Sequence, residues 1–201
     1  MDHFLKYLSE KISDLNKDNK PILVIGNSPD VLQKKIGKEI DEKYFIIRFN
    51  KGCDINQEYS DSVGCKTDLK VFCSLYFVKF VLDKLKENEG SNIIIIDFKT
   101  KFLKRMVTNK KLECYILKKK INNNGIKKNL ELPNIVKKKI CSSGLIICYS
   151  LLEIFDKIYI YGFSHTNKHY YPNKHNGNSH GYKFEKIVFE YYETNDKIIK
   201  L

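Results

Sequence analysis

Four of the five histidines in this 201-residue chain fall in one stretch, GFSHTNKHYYPNKHNGNSHGYKFEK: His165, His169, His175 and His180. An imidazole can bind a metal, move a proton near neutral pH, or donate a hydrogen bond to an anion. The His165-x3-His169 spacing matches a zinc pair on a helix. Gly162 and Pro172 bracket that pair, however, and the nearest carboxylates, Asp156 and Glu185, lie outside the cluster. No metal site is expected. His180 is better placed for proton transfer. Ser179 is a candidate N-cap, and Phe184, Ile187, Val188 and Tyr191 form an apolar helical stripe behind it. A histidine in a first helical turn is kept neutral by the helix dipole, as a general base must be. The same position also suits a histidine that only packs at a helix start, and both roles stand at this point. Glu185 falls about 140° further round the helix, so no direct His–Glu pair is implied.

Two further segments offer anion sites. In ILVIGNSPD, Gly26 ends a strand in a tight turn, Asn27 and Ser28 present short polar groups, and Pro29 suits a first helical turn. In CSSGLIICYSLLEIF, Ser142 or Ser143 caps a helix, and Gly144 leaves its first N–H groups unobstructed. Each reads alone as an ordinary strand-to-helix turn or a plain serine cap. Two such helix starts in one parallel sheet suit a nucleotide phosphate. Neither GxGxxG nor GxxxxGK[ST] occurs, so the sequence supports neither a dinucleotide fingerprint nor a phosphate-loop ATPase.

The elements that must carry these residues alternate. Short β-branched runs at Ile22–Ile25, Tyr44–Phe49, Leu69–Cys73, Ile93–Phe98, Cys114–Leu117 and Ile158–Tyr161 predict buried strands. Segments of helical period lie at Val31–Glu42, Leu75–Asn88, Gly144–Phe155 and Gly181–Tyr192, and residues 1–20 predict an N-terminal amphipathic helix. Such alternation predicts a single α/β domain over 1–201, with a mostly parallel sheet flanked by helices. Ligands of such sheets sit outside the carboxyl ends of the strands, where the segments above fall. The lysine-rich stretch 118–139 interrupts the pattern and reads as a surface loop or lid that can face an anionic membrane.

Composition narrows the partners. Lys and Arg number 36 against 24 Asp and Glu, a net charge of +12. Only Arg48 and Arg105 are arginine, which argues against a protein that grips phosphodiester backbones by bidentate contacts. No nucleic-acid partner is expected. No apolar run approaches the roughly 18–20 residues of a membrane span. The N-terminus lacks a signal peptide's apolar region and cleavage site. The six cysteines form no CxxC pair and read as free thiols, so the chain is expected to be cytoplasmic or otherwise soluble in a reducing compartment.

The segment ILVIGNSPDVLQKKIGKEIDEKYFIIRFNKG, followed by YSDSVGCKTDLKVFCS, resembles the large sialylmotif of the eukaryotic-type sialyltransferases, glycosyltransferase family 29. The features that carry it are the GNS turn, the G-x-EID run, the I-R-F-N strand end and the VG-x-KT segment. SSGLIICYSLLEIFDKIYIYGF resembles the small sialylmotif, His169–Tyr171 the third motif, and His180-x4-Glu185 the very small motif. They occur in family order and, with residues 21–75 counted as one stretch, cover 86 of the 201 residues.

The resemblance implies an enzyme of variant GT-A (Rossmann-like) fold that moves sialic acid from CMP-sialic acid to a sugar hydroxyl, with inversion and without a metal or other cofactor. It implies that Asn27 and Asn50 hold the CMP ribose and phosphate with Ser28 nearby, and that Ser142, Ser143 and Gly144 cradle the cytidine and phosphate. By the same resemblance His169 donates to the leaving phosphate, His180 accepts the acceptor's proton, and Tyr170 adds charge stabilisation. The partners are then a CMP-sugar donor and a glycan acceptor. Four positions depart from the pattern the resemblance implies: Ile22 and Phe155 replace its inter-motif disulfide, Cys73 stands where many members place an asparagine, and Pro172 follows the third motif. The alternatives are a non-catalytic CMP- or glycan-binding relative, a transferase for another CMP-linked nonulosonic acid such as Kdo, and, remotely, a nucleic-acid-binding module.

Overall fold

The computed structural model describes residues 2–54, 57–73, 76–77, 92–97, 114–118, 141–165, 168–171 and 182–201. After helix α1 (Asp2–Leu15) come strand β1 (Ile22–Ile25), a 3-10 turn (Pro29–Gln33), α2 (Gly37–Lys43) and β2 (Phe45–Phe49). A second 3-10 turn (Asn50–Cys53), α3 (Ser60–Val63) and β3 (Leu69–Cys73) follow, then β4 (Ile93–Asp97) and β5 (Cys114–Lys118). The last described elements are α4 (Ser143–Leu152), β6 (Ile158–Tyr161), α5 (Tyr182–Thr194) and β7 (Ile198–Lys200).

The strands lie in the order β5-β4-β3-β2-β1-β6-β7, and every pairing is parallel. β1 sits inside the sheet, with Ile22 opposite Phe45 of β2 and Leu23 opposite Tyr159 of β6. From β1 the chain winds outward through β5, then returns to the other side of β1 for β6. That reversal places a topological switch point between β1 and β6, where two strand-end loops part and leave a crevice.

Both faces of the sheet are covered, which is why its strands read as unbroken apolar runs. On one face Val24, Phe45 and Ile47 pack with Phe4, Leu8 and Ile12 of α1, with α4, and with Phe184, Val188 and Phe189 of α5. The four-residue spacing of Phe4, Leu8 and Ile12 gives α1 its single buried stripe. On the other face Leu23, Ile25 and Ile46 pack with Val31, Ile40, Val63, Tyr161, Tyr170 and Tyr171. Ile22 is buried in the first cluster and Phe155 packs against it, so both positions serve the core. Cys53, Cys65, Cys73, Cys141 and Cys148 are free thiols.

The structure departs from the sequence expectation in several places. The predicted helix Val31–Glu42 is two pieces, because Lys34 is extended (φ −122°, ψ 144°) and α2 starts only at Gly37. The break lets Gly37 lie against the Ser60 carbonyl of α3, a contact that a side chain would block. The predicted helix Gly144–Phe155 begins at Ser143 and ends at Leu152, and α1 stops at Leu15 rather than Lys20. There Asn16 turns the chain, bonding the Lys20 carbonyl and N–H through its side chain at 2.8 and 2.9 Å. Strand β7 was not expected. The predicted helix Leu75–Asn88, apart from residues 76–77, and the stretch 119–139 lie outside the described residues.

Candidate active site at the strand ends

The floor of the crevice is made where β1 and β6 end. Gly26 N–H donates to the Tyr161 carbonyl at 2.7 Å, and Ser28 N–H to the Gly162 carbonyl at 3.1 Å. Gly162 has φ +77°, and a Cβ on it would lie 2.5 Å from Val31 Cγ1 and 2.9 Å from the Gly26 carbonyl oxygen. Only glycine fits that conformation and that approach. Ser28 is buried; its hydroxyl accepts from the Ser164 N–H at 3.1 Å and donates to the Asp30 carboxylate. Asp30 thereby fixes Ser28 as a bracket between the two loops.

Asn27 and Asn50 meet the third-motif residues. The Asn27 carbonyl accepts from Tyr170 N–H at 3.0 Å, and its Nδ2 donates to the Phe49 carbonyl at 3.3 Å. Asn50 has a left-handed backbone (φ 48°), and its Oδ1 accepts from the Cys73 N–H at 2.9 Å. Asparagine tolerates that conformation better than most residues. Asn50 thus joins the ends of β2 and β3, and Nδ2 is the half of its amide that can meet a ligand. Cys73 contributes through its backbone N–H, which any residue there would supply. Gly52 lies against Asn27 Oδ1 and next to the Tyr170 hydroxyl.

Tyr170 and Tyr171 are buried and pack edge to face at 5.0 Å, and Tyr59 packs edge to face on Tyr170 at 5.2 Å. Burial pushes the Tyr170 hydroxyl up to about 12, opposed by the Arg48 guanidinium, so it stays protonated and able to donate. Burial also raises Tyr171. The His169 ring lies 5.2 Å from the Tyr171 ring, and the Lys51 ammonium sits over that ring at 5.1 Å. A half-buried histidine, a lysine and two protonated phenols therefore flank the ends of β1 and β2.

The third part is the start of α4. Ser142 is its N-cap, accepting from Leu145 N–H at 3.1 Å. Gly144 is held against the Phe163 ring: a Cβ there would lie 2.7 Å from Cε1. Phe163 follows Gly162, so the small residue of the α4 start and the β6 loop are fitted to one another. Ser143 is buried, as is the rest of α4. Glu185, in the first turn of α5, reaches across to the cap. One oxygen accepts from Ser142 N–H at 2.7 Å and the other from its hydroxyl at 2.8 Å. Glu185 is 3% exposed, and burial raises its carboxyl despite the two Ser142 bonds, which favour the carboxylate. Those bonds tie the starts of α4 and α5 together. His180 lies outside the described residues, two positions before the first residue of α5.

Three supporting residues, Glu185, Arg48 and Asp41, have partners that the sequence does not show. Glu185 belonged to a recognised motif, but its partner Ser142 is far away in the chain. Arg48 is fully buried beneath the site. It donates to the Lys66 carbonyl from Nε at 2.9 Å and to the Val63 carbonyl from Nη2. Asp41 of the EID run accepts from Cys65 and Lys66 N–H at 2.7 and 2.9 Å. Together they lock the VG-x-KT segment under the crevice. Both residues fall in segments that carry the large-motif resemblance, the I-R-F-N strand end and the G-x-EID run, but the sequence does not show what either bonds to. Among the described residues no three His, Cys, Asp or Glu side chains gather as a metal site, and no helix is long and apolar enough to cross a membrane.

The fold is that of the doubly wound α/β proteins that bind nucleotides at a switch point. The chain belongs to glycosyltransferase family 29, the sialyltransferases, whose family model matches residues 2–195. Among solved structures it is similar to a mammalian sialyltransferase in complex with Gal-beta-1-3GalNAc-ortho-nitrophenol. The TM-score is 0.66 at 20% identity, over 98% of this chain and 79% of that one. A second structure titled as a mammalian sialyltransferase gives 0.64 at 20% identity, over 98% and 78%. The sialyltransferase CstII from Campylobacter jejuni, in complex with the substrate analogue CMP-3FNeuAc, gives 0.51 at 13% identity, over 90% and 78%. Comparison with curated protein sequences gives no match. The protein is a glycosyltransferase of the sialyltransferase class with a GT-A-like fold.

Proposed function

We propose that the protein transfers sialic acid from CMP-sialic acid to a sugar hydroxyl with inversion and without a metal, using His180 as general base and His169 at the leaving phosphate. The observation that carries this reading is the double hydrogen bond that Ser142 donates to the Glu185 carboxylate. It brings the helix that follows His180 to the small-residue start of α4, on the same edge of the sheet as Asn27, Asn50 and Tyr170.

In this reading the α4 start, with Ser142, Ser143 and Gly144, holds the CMP moiety through N–H groups and small polar side chains. Ser28, fixed by Asp30, keeps the β1 turn in place beside it. Asn27 and the Nδ2 of Asn50 hold ribose and phosphate oxygens. His180 takes the proton of the acceptor hydroxyl as that oxygen bonds to the anomeric carbon. The bond from that carbon to the CMP phosphate oxygen breaks with its electron pair, and CMP leaves. His169 and the protonated Tyr170 donate to the phosphate and stabilise its growing charge.

The test separates binding from turnover. CMP at a hundred times its dissociation constant should stabilise the fold by about 2.7 kcal/mol. His180→Ala should keep that shift and lose most acceptor-dependent CMP release. Loss of both together would make His180 structural, and CMP binding with no turnover of any donor in the parent protein would make the chain a binding relative.

A further inference from the structure

We propose that Lys51 is a further donor-binding residue, whose ammonium pairs with an oxyanion of the bound CMP-sugar, either its phosphate or its sugar carboxylate. The inference rests on the reading of the crevice as a CMP-donor site. Lys51 follows Asn50 in the 3-10 turn Asn50–Cys53, at the end of β2. That turn is seated on the crevice: a Cβ on Gly52 would strike Asn27 Oδ1 and lie 3.5 Å from the Tyr170 hydroxyl oxygen. With Asn50 on one side and Gly52 on the other, Lys51 stands beside the groups assigned to ribose and phosphate.

The side chain is held in place by an aromatic ring. Lys51 is half-buried, with its ammonium 5.1 Å from the Tyr171 ring centroid, and the His169 ring lies 5.2 Å from the same ring. Tyr171 is itself buried and packed edge to face on Tyr170, so it is a fixed platform. A lysine over a tyrosine face gains a cation–π attraction and packs its stem while its charged head stays within reach of water or a ligand. The ammonium and the imidazole thus flank one ring, close enough for the anionic groups of one donor to meet both.

The charge of the donor calls for such a group. A CMP-linked sialic acid carries a negative charge on its phosphodiester and another on its carboxylate, whereas Asn27, Asn50, Ser142, Ser143 and Tyr170 offer neutral donors. Arg48, the one arginine among the described residues, is buried and donates to the Lys66 and Val63 carbonyls. Asp54 follows the same turn; its N–H donates to the Lys51 carbonyl at 3.0 Å, and its side chain is exposed. An exposed carboxylate competes weakly for an ammonium. An oxyanion already held in a crevice by neutral donors, partly out of water, attracts it more strongly.

The experiment measures the dissociation constants of cytidine, CMP and CMP-sialic acid by NMR titration of the full chain. Lys51→Met keeps the stem over Tyr171 without the charge, and Lys51→Arg keeps the charge. Lys38→Gln, at an exposed position of α2, controls for net charge. If the phosphate is the partner, Lys51→Met should weaken both CMP and CMP-sialic acid by about five- to twentyfold. If the carboxylate is, CMP should bind as before and CMP-sialic acid alone should weaken by that factor. Cytidine should bind all four proteins within about twofold, and Lys51→Arg should hold both anionic ligands within about threefold of the parent. The proposal is overturned if Lys51→Met binds CMP and CMP-sialic acid as the parent does. It is equally overturned if cytidine weakens as much as they do, since Lys51 then only shapes the turn, if Lys51→Arg binds as weakly as Lys51→Met, or if Lys38→Gln matches the loss. A parent protein that does not bind CMP overturns the donor-site reading itself, and this inference with it.

Discussion

Replacing Glu185 with alanine removes both hydrogen bonds that join the start of α5 to the start of α4. Hydrogen bonds to a charged group contribute about 1.5–3 kcal/mol each, and the part-buried Ser142 N–H, left without its acceptor, adds to the loss. Against this stands the relief of a carboxylate held almost entirely out of water. The expected net loss is about 3 kcal/mol, within the range for removing one member of a buried polar pair. In a chain of this size that lowers Tm by roughly 6–12 °C. Glu185→Gln keeps one acceptor and the side chain's shape, and should cost about 1–2 kcal/mol. The assay is denaturant unfolding of the three proteins, with CMP binding followed in parallel. Both variants should bind CMP more weakly, because the α4 start loses its brace.

The pH dependence adds a sign that cannot be mistaken for general damage. Burial raises the folded-state pKa of Glu185, so between its unfolded and folded values the folded protein holds more protons. Stability from this group is then full at low pH and is lost as pH rises through the folded pKa. Parent protein should show that fall as pH rises from the unfolded value through the raised folded one, and Glu185→Gln should lack it. An alanine variant within about 0.5 kcal/mol of the parent would refute the reasoning, since that is the range of a surface substitution.

Other substitutions test the remaining contacts. Gly144→Ala would drive a methyl against Phe163; it should destabilise by about 1–3 kcal/mol and weaken CMP binding, measured by thermal shift. Asn50→Ala loses the acceptor for Cys73 N–H and places alanine at φ 48°; unfolding should show a loss of about 1–3 kcal/mol, and the KM for donor should rise. Cys73→Ser keeps that backbone bond, so CMP affinity should stay within about twofold by calorimetry.

Much of the fold is readable because its sheet is buried on both faces. The runs that form β1 to β4 and β6 have no polar alternation to confuse them with surface strands. β7 was missed because Ile198–Lys200 is a three-residue edge strand flanked by lysines, with only Ile198 buried. The Val31–Glu42 helix was misjudged for a different reason: its apolar spacing is helical, but the docking of Gly37 on α3 is a tertiary demand that local spacing does not express. The candidate site shows the same division. Asn27, Ser142 and Gly144 announce themselves by type at a strand end or helix start. The roles of Glu185 and Arg48 depend on burial and on partners distant in sequence, and neither property is visible in a residue's neighbours.

Donor turnover tests the central claim most directly. The protein is mixed with CMP-sialic acid, with and without a panel of glycans, and free CMP is followed alongside the His180→Ala variant. The account predicts CMP release that depends on a glycan acceptor and collapses in the variant, while CMP still raises the melting temperature of both proteins. No release with any acceptor, or undiminished release by the variant, would contradict it.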